Sequence, residues 1–346
     1  MKYRSQDTGG DLFAIIGHQQ KATGRPTGIG RLSGAIDWEG FRCELEDILG
    51  YSSREESRGG RPPFDPVFMF KVLVLQKFHG LSDEGVEEQI ADRFSFMSFL
   101  GLRPGDAVPD ANTVWDFRES LESGGRDGTA RLFDRFGEML DARGLVGREG
   151  SIVDASFTDA PRQRNTRGQT AEIKAGRRPE EFGEDTATGR QKDCDARWAK
   201  KNNETHYGYK NHAKVDAATK YVLKYATTPA NVHDSQKYKD LVDRSDNAAI
   251  GDSAYESEEN ERYTLEDCDC ENFVMEKARR GKPLTGEQET SNRRISRIRV
   301  RVEHVFGRLK QFGADIVRTV GQKRAHQHHG LSNLVYNMDR HAMLDR

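Results

Sequence analysis

Seven apolar residues, Ile295, Ile298, Val302, Val305, Phe306, Leu309 and Phe312, fall at offsets of 0, 3, 7, 10, 11, 14 and 17. This is the period of an α-helix, and it draws one continuous apolar stripe along it. Such a stripe must be buried against another layer of structure. The stretch before it reads largely as strands. Ser151-Ile152-Val153-Asp154-Ala155 is a short apolar run ending in an acid, and Ala248-Ala249-Ile250-Gly251-Asp252 is a second. His206 to Asp216 and Tyr221 to Thr228 carry strand signals, and the turn between them predicts a hairpin. Helices are expected over 235–242 and near 258–266, and a strand over 272–275. The order strand, hairpin, helix, strand, helix, strand, long helix predicts a mixed α/β sheet flanked by helices.

The first 145 residues have a different pattern. Residues 1–35 are Gly-rich and without periodicity, and read as a flexible N-terminal arm. Residues 36–145 read as an all-helical N-terminal domain. Its signs are Trp38, Phe41, Leu45 and Ile48 at helical spacing, the dense apolar stretch 64–78, and helices opening at Ser82, Pro109 and Thr129. Residues 146–346 form the predicted sheet domain. Within it, 160–204 has few apolar positions and reads as a polar insertion or flexible loop.

Charged residues make up 32% of the chain, yet 17 Phe and 10 Tyr are enough to build cores, so wholesale disorder is excluded. No run of about 18 apolar residues exists, which argues against a membrane span. The polar start, Met1 to Asp7, predicts no secretory signal, and four Cys give no disulfide framework, so a reducing cytoplasm is expected. Charge is strongly segregated: residues 231–276 carry 4 Lys+Arg against 14 Asp+Glu, and 277–324 carry 14 against 4. Adjacent basic and acidic blocks suit cations and a polyanion meeting at one site; two solvated faces of opposite sign would look the same.

Three acids stand out. Asp154 and Asp252 each end a short apolar run, and Glu303 lies beside the apolar stripe with Arg299 four residues before it and Lys310 seven after. Carboxylates at strand ends converging on a helix carboxylate can hold two Mg²⁺ ions, because hard cations take oxygen ligands. The plainer readings are turn formers or helix caps for the two Asp, and an i,i+4 surface pair for Arg299 and Glu303. Arg162 and Arg164, on the polar loop after Asp154, and Lys210, beside an expected central strand, are candidate phosphate contacts, with solvated or structural roles as the alternative. His212, His233 and Asp234 are open between a place in the site and a place in the core. His304 lies about 100° around the helix from Glu303 and is not taken as a ligand.

These residues fall in ordered blocks. Ser151 to Ala155, His206-Tyr207-Gly208-Tyr209-Lys210-Asn211-His212, Val232-His233-Asp234-Ser235-Gln236, Asp252-Ser253-Ala254-Tyr255 and Arg301 to Gly307 resemble those of a DDE transposase of the insertion sequence 5 family. Arg61 to Pro66, Asp92 to Met97 and Gly330 to Met338 extend the resemblance to about residues 36–340. Arg299, Glu303 and Lys310 match the family's third-acid signature, while Ser296 stands where that signature has Tyr. The resemblance implies a ribonuclease-H-like fold with Asp154, Asp252 and Glu303 as metal-binding catalytic acids. It implies two Mg²⁺ ions, with Mn²⁺ as a substitute, and cleavage at the ends of an element, whose 3′-hydroxyls then attack target DNA. Double-stranded DNA, as terminal inverted repeats and target, is the expected partner. Arg299, Lys310, Arg162, Arg164 and Lys210 are the expected DNA contacts. Two ends to cut imply a homo-oligomer, at least a dimer, acting on a bacterial nucleoid. The alternatives are a metal-dependent nuclease of the same fold, a non-catalytic DNA-binding derivative, and a protein-interaction scaffold.

Overall fold

A computed structural model describes residues 28–51, 62–183, 186–201 and 203–345. The chain divides into two compact units, one reaching Leu121 and taking in residues from His341 on, the other Glu122–Arg340.

In the first unit the described elements include helices α1 (Gly30–Ala35), α2 (Arg42–Leu49), α3 (Pro66–His79), α4 (Asp83–Asp92), α5 (Phe94–Leu100) and most of α6 (Ala111–Glu122). α1 falls inside the expected flexible arm. Leu32 and Ile29 are buried, so two apolar side chains order a stretch whose glycines read as loop. Residues 1–27 of that arm lie outside the described residues, as do residues 52–61. α3 forms where the apolar density predicts a buried helix. Asp65 caps it by accepting from the backbone N–H of Val67 at 2.9 Å and Phe68 at 3.0 Å, Pro66 takes the first helical position, and Gly80 closes it at φ 63°. Arg118 of α6 grips Asp83 with both terminal nitrogens, at 2.7 and 2.8 Å, a bidentate pair that joins α6 to α4.

Helix α7 (Gly128–Ala142) belongs to the second unit, so the division falls after Leu121 and not near 145. Its apolar face, Leu132, Phe133, Phe136 and Leu140, is buried, and Phe133 meets Tyr225 edge-on at 5.1 Å between ring centres. The sheet follows: β1 (Ser151–Asp159), β2 (Arg197–Lys201), β3 (Glu204–Asp216), β4 (Val222–Pro229), β5 (Ala248–Gly251) and β6 (Glu271–Val274). The order is β2-β3-β1-β5-β6, with β4 also on β3. β1, β5 and β6 run parallel, while β2, β3 and β4 join antiparallel, so the sheet is mixed as expected. Gly208 of β3 has φ 153°, and a Cβ there would stand 2.2 Å from the Thr158 carbonyl oxygen, so glycine is required where β3 crosses the end of β1.

Residues 160–204 are not the loop their composition predicts. Among their described residues they form helices α8 (Arg167–Lys174) and α9 (Ala187–Arg190) and the edge strand β2. One buried carboxylate organises them. Asp193 accepts the Tyr209 hydroxyl on both oxygens at 2.8 Å, the N–H groups of Asp195 and Ala196 at 2.9 Å, and that of Gly321 at 3.1 Å. Polar satisfaction does here what apolar patterning does elsewhere. Two long helices follow in this unit, α12 (Gly286–Gln311) and, as far as Arg340, α13 (Gln322–Leu344), with the short α10 (Tyr238–Leu241) and α11 (Glu258–Arg262) between strands. α13 has no clean apolar stripe because it buries polar side chains. Asn333 exchanges hydrogen bonds with Asn211, Asn337 bonds both backbone groups of Val222, and His329 bridges Thr158 and Thr227.

Candidate active site

The parallel pairing of β1 with β5 runs Ser151 to Ala249, Ile152 to Ile250 and Val153 to Gly251. Asp154 and Asp252 are therefore the next residue on each of two neighbouring strands. β5 ends there, so Asp252 stands at a strand end as expected. β1 instead continues to Asp159, paired with β3, so Asp154 sits inside a strand; only its parallel partner stops beside it.

Helix α12 lies on β1 and β5. Of the predicted stripe, Ile295, Val302, Val305, Leu309 and the following Phe312 are buried. Ile298 is 38% exposed, because at that level Arg299 turns toward the sheet. Arg299 Nη2 donates to Asp154 Oδ2 at 2.8 Å and stands 3.8 Å from Asp252 Oδ2. The side chains are largely enclosed, 12% exposed for Asp154 and 18% for Arg299. Asp154 Oδ1 accepts from the N–H of Ala155 and Asp252 Oδ1 from that of Ala254. Burial pushes the Asp154 carboxyl above the usual range; Arg299 and the Ala155 N–H oppose this, and Asp252 adds to it. Two carboxylates against one guanidinium leave a net negative charge that further cation would neutralise.

Glu303 is exposed, about one turn beyond Arg299 along α12. Arg299 spends its guanidinium on the two Asp, so the i,i+4 surface pair with Glu303 does not form. Among the described residues no three His, Cys, Asp or Glu side chains stand close enough to hold a metal ion together. The structure thus brings Asp154 and Asp252 together and leaves Glu303 adjacent.

The other expected contacts are dispersed. Lys310 is highly exposed and 3.7 Å from Asp315. Arg162 lies over the exposed Trp198 ring at 5.4 Å, and Arg164 is exposed. Lys210 is buried, donating to Asp234 at 2.7 Å and to the Val232 carbonyl at 2.8 Å, so it is committed to the protein rather than to a phosphate. Its partner strands cover it, which residue type and spacing cannot reveal. His212 is also a core residue. Its Nε2 is 2.8 Å from the Thr228 hydroxyl oxygen, and burial pulls its pKa down to about 4. His233 caps the short turn at Ser235.

Two residues beside the acids escaped the reading of the sequence. Tyr255, three residues after Asp252, has a buried hydroxyl without a hydrogen-bond partner; burial and the charges of Asp154, Asp234 and Asp252 push that phenol well up. Met275 touches Arg299 Nη1 at 3.9 Å and Ser296 Oγ at 3.7 Å, so Ser296 contributes its hydroxyl to the wall beside Arg299. Tyr255 lies in the Asp252 block, and that placement was its only signal.

No solved structure matches the chain. A family profile described as "Transposase domain (DUF772)" matches residues 19–120. One described as "Transposase DDE domain" matches residues 146–338, more than half the chain, and takes in both strand acids and the Glu303 helix. With Asp154 and Asp252 meeting on neighbouring parallel strands of a mixed, ribonuclease-H-like sheet under that helix, the chain belongs to the transposase DDE domain family.

Proposed function

We propose that this protein cuts phosphodiester bonds at the ends of an insertion element of the insertion sequence 5 type and joins the freed 3′-hydroxyls to target DNA. Asp154, Asp252 and Glu303 are its catalytic acids in this reading. Membership of a transposase family implies DNA transposition and a DNA partner. The finer reading rests on one observation, the meeting of Asp154 and Asp252 on the guanidinium of Arg299, a turn before Glu303 on the same helix.

The donor set fits a hard divalent ion, since it is made of carboxylates, without sulfur or imidazole, and the two strand carboxylates share the single guanidinium of Arg299. Asp154, Asp252 and Glu303 would hold Mg²⁺ or Mn²⁺, two ions per site. Such ions supply activation of an attacking oxygen and charge stabilisation of a leaving one. Arg299 opposes the upward shift that burial gives the Asp154 carboxyl and fixes that carboxylate in direction. Lys310 and the exposed arginines of α12 offer charge to the DNA backbone, and Arg162 and Arg164 do so from the segment after β1. The helices before Leu121 would grip element ends or pair two copies, since two ends must be cut together. No helix among the described residues is long and apolar enough to cross a membrane.

The test is strand transfer. Purified protein, pre-cut DNA ends carrying the repeats that flank the gene, and a target plasmid are incubated with Mg²⁺. Joined products are expected. Hydrolysis without joining would refute transposition and leave a nuclease.

A further inference from the structure

Between β6 and α12 the chain makes one small basic turn. β6 runs parallel to β5 with Val274 beside Gly251, so the next residue, Met275, stands beside Asp252 and donates its N–H to Gly251 at 3.1 Å. Met275 also touches Arg299. Two residues later comes Lys277-Ala278-Arg279-Arg280-Gly281-Lys282. Arg279 and Lys282 exchange backbone hydrogen bonds at 3.1 and 2.9 Å, closing a tight loop over Arg280 and Gly281, the latter at φ 76°.

The root of this turn is pinned from two sides. Glu256, four residues after Asp252, accepts the Lys277 N–H at 2.9 Å and the Arg279 guanidinium at 3.1 Å. Glu276 bonds Asn292 of α12 through both its backbone groups, at 3.0 and 2.9 Å. The side chains of Lys277, Arg280 and Lys282 are exposed, and among the described residues none has an ion pair or hydrogen bond. The turn is closed on itself and anchored at its root, so it presents these three unpaired cations on a short held segment. A bound polyanion would pair them. The turn also leaves the carboxyl end of its strand beside Asp252, the side of an open α/β sheet on which ligands bind.

We propose that the turn 277–282 is a phosphate clamp for duplex DNA beside the Asp154–Asp252 site, gripping the backbone with Lys277, Arg280 and Lys282. The proposal rests on the DNA-cutting role above. The test uses the full chain and a synthetic duplex carrying the flanking repeats, with affinity measured against salt. Each phosphate contact contributes about 0.9 to the log–log slope, so Lys277→Ala/Arg280→Ala/Lys282→Ala should lower it by about 2.7. The hydroxyl-radical footprint of that variant should lose protection next to the cut. Arg280→Ala alone should lower the slope by about 0.9, and Arg280→Lys should leave it unchanged. If the unsubstituted chain binds and cuts while the triple variant keeps its slope and footprint, the clamp is refuted and the cutting role stands. If the unsubstituted chain shows no salt-dependent binding, both fall.

Discussion

Replacing Arg299 by Gln removes the guanidinium that touches both Asp154 and Asp252. At 2.8 Å the gross Coulomb attraction to Asp154 is about 6 kcal/mol for an effective dielectric of about 20. Desolvation of two enclosed groups cancels much of this, leaving an expected coupling of about 2–4 kcal/mol. An exposed pair would give about 0–1 kcal/mol. The assay is a double-mutant cycle of Arg299→Gln and Asp154→Asn in the full chain, read by urea unfolding with two spectroscopic probes. Burial already raises the Asp154 carboxyl, and loss of Arg299 raises it further. The folded variant then holds a proton that the unfolded chain releases, so the stability lost by Arg299→Gln should return as pH falls through that raised pKa. A coupling below about 0.5 kcal/mol, or a deficit independent of pH, would mean that Arg299 does not support Asp154 electrostatically.

Three further outcomes are expected. Gly208→Ala should cost about 2 kcal/mol or more, seen as a lower melting temperature, because its Cβ would strike the Thr158 carbonyl. Asp193→Ala should cost about 3–5 kcal/mol by stripping Tyr209 and buried N–H groups of their acceptor, with limited proteolysis accelerated within 160–204. His212 has a folded pKa of about 4 against 6.5 for the ordinary side chain, so it favours the fold above pH 6.5 and withdraws about 3 kcal/mol as pH falls to 4. His212→Gln should flatten that part of the stability–pH curve, and an unchanged curve would remove His212 from the account of acid lability.

Where apolar period decided the structure, the sequence could be read. The α12 stripe, the β3–β4 hairpin and the runs ending at Asp154 and Asp252 all announce themselves through burial of hydrocarbon. Where polar groups decide it, the pattern is blind. Asp193 folds a segment that reads as loop, and α13 buries Asn333, Asn337 and His329 in hydrogen bonds to the sheet. Direction is equally hidden. Arg299 and Lys210 carry the charge that suits phosphate, yet both turn inward onto carboxylates, and only the strand register makes those carboxylates near. α7 reads correctly as a helix but not as part of the sheet unit, because periodicity gives an apolar face without naming its partner.

Of Asp154, Asp252 and Glu303, proposed to cut DNA together, Glu303 is the member the geometry ties in least. The most direct measurement is Mg²⁺-dependent cleavage of DNA carrying the flanking repeats, with DNA affinity measured in parallel, for the unsubstituted chain and for Asp154→Asn, Asp252→Asn and Glu303→Gln. Each substitution should lower cleavage more than about 100-fold, since outer-shell partners of a metal ligand alone account for about 10–100-fold. Affinity should stay within a few-fold, because it comes from Lys and Arg on phosphate. Near-normal cleavage by Glu303→Gln, with the two Asp variants inactive, would contradict the three-acid site and leave only the pair that Arg299 joins.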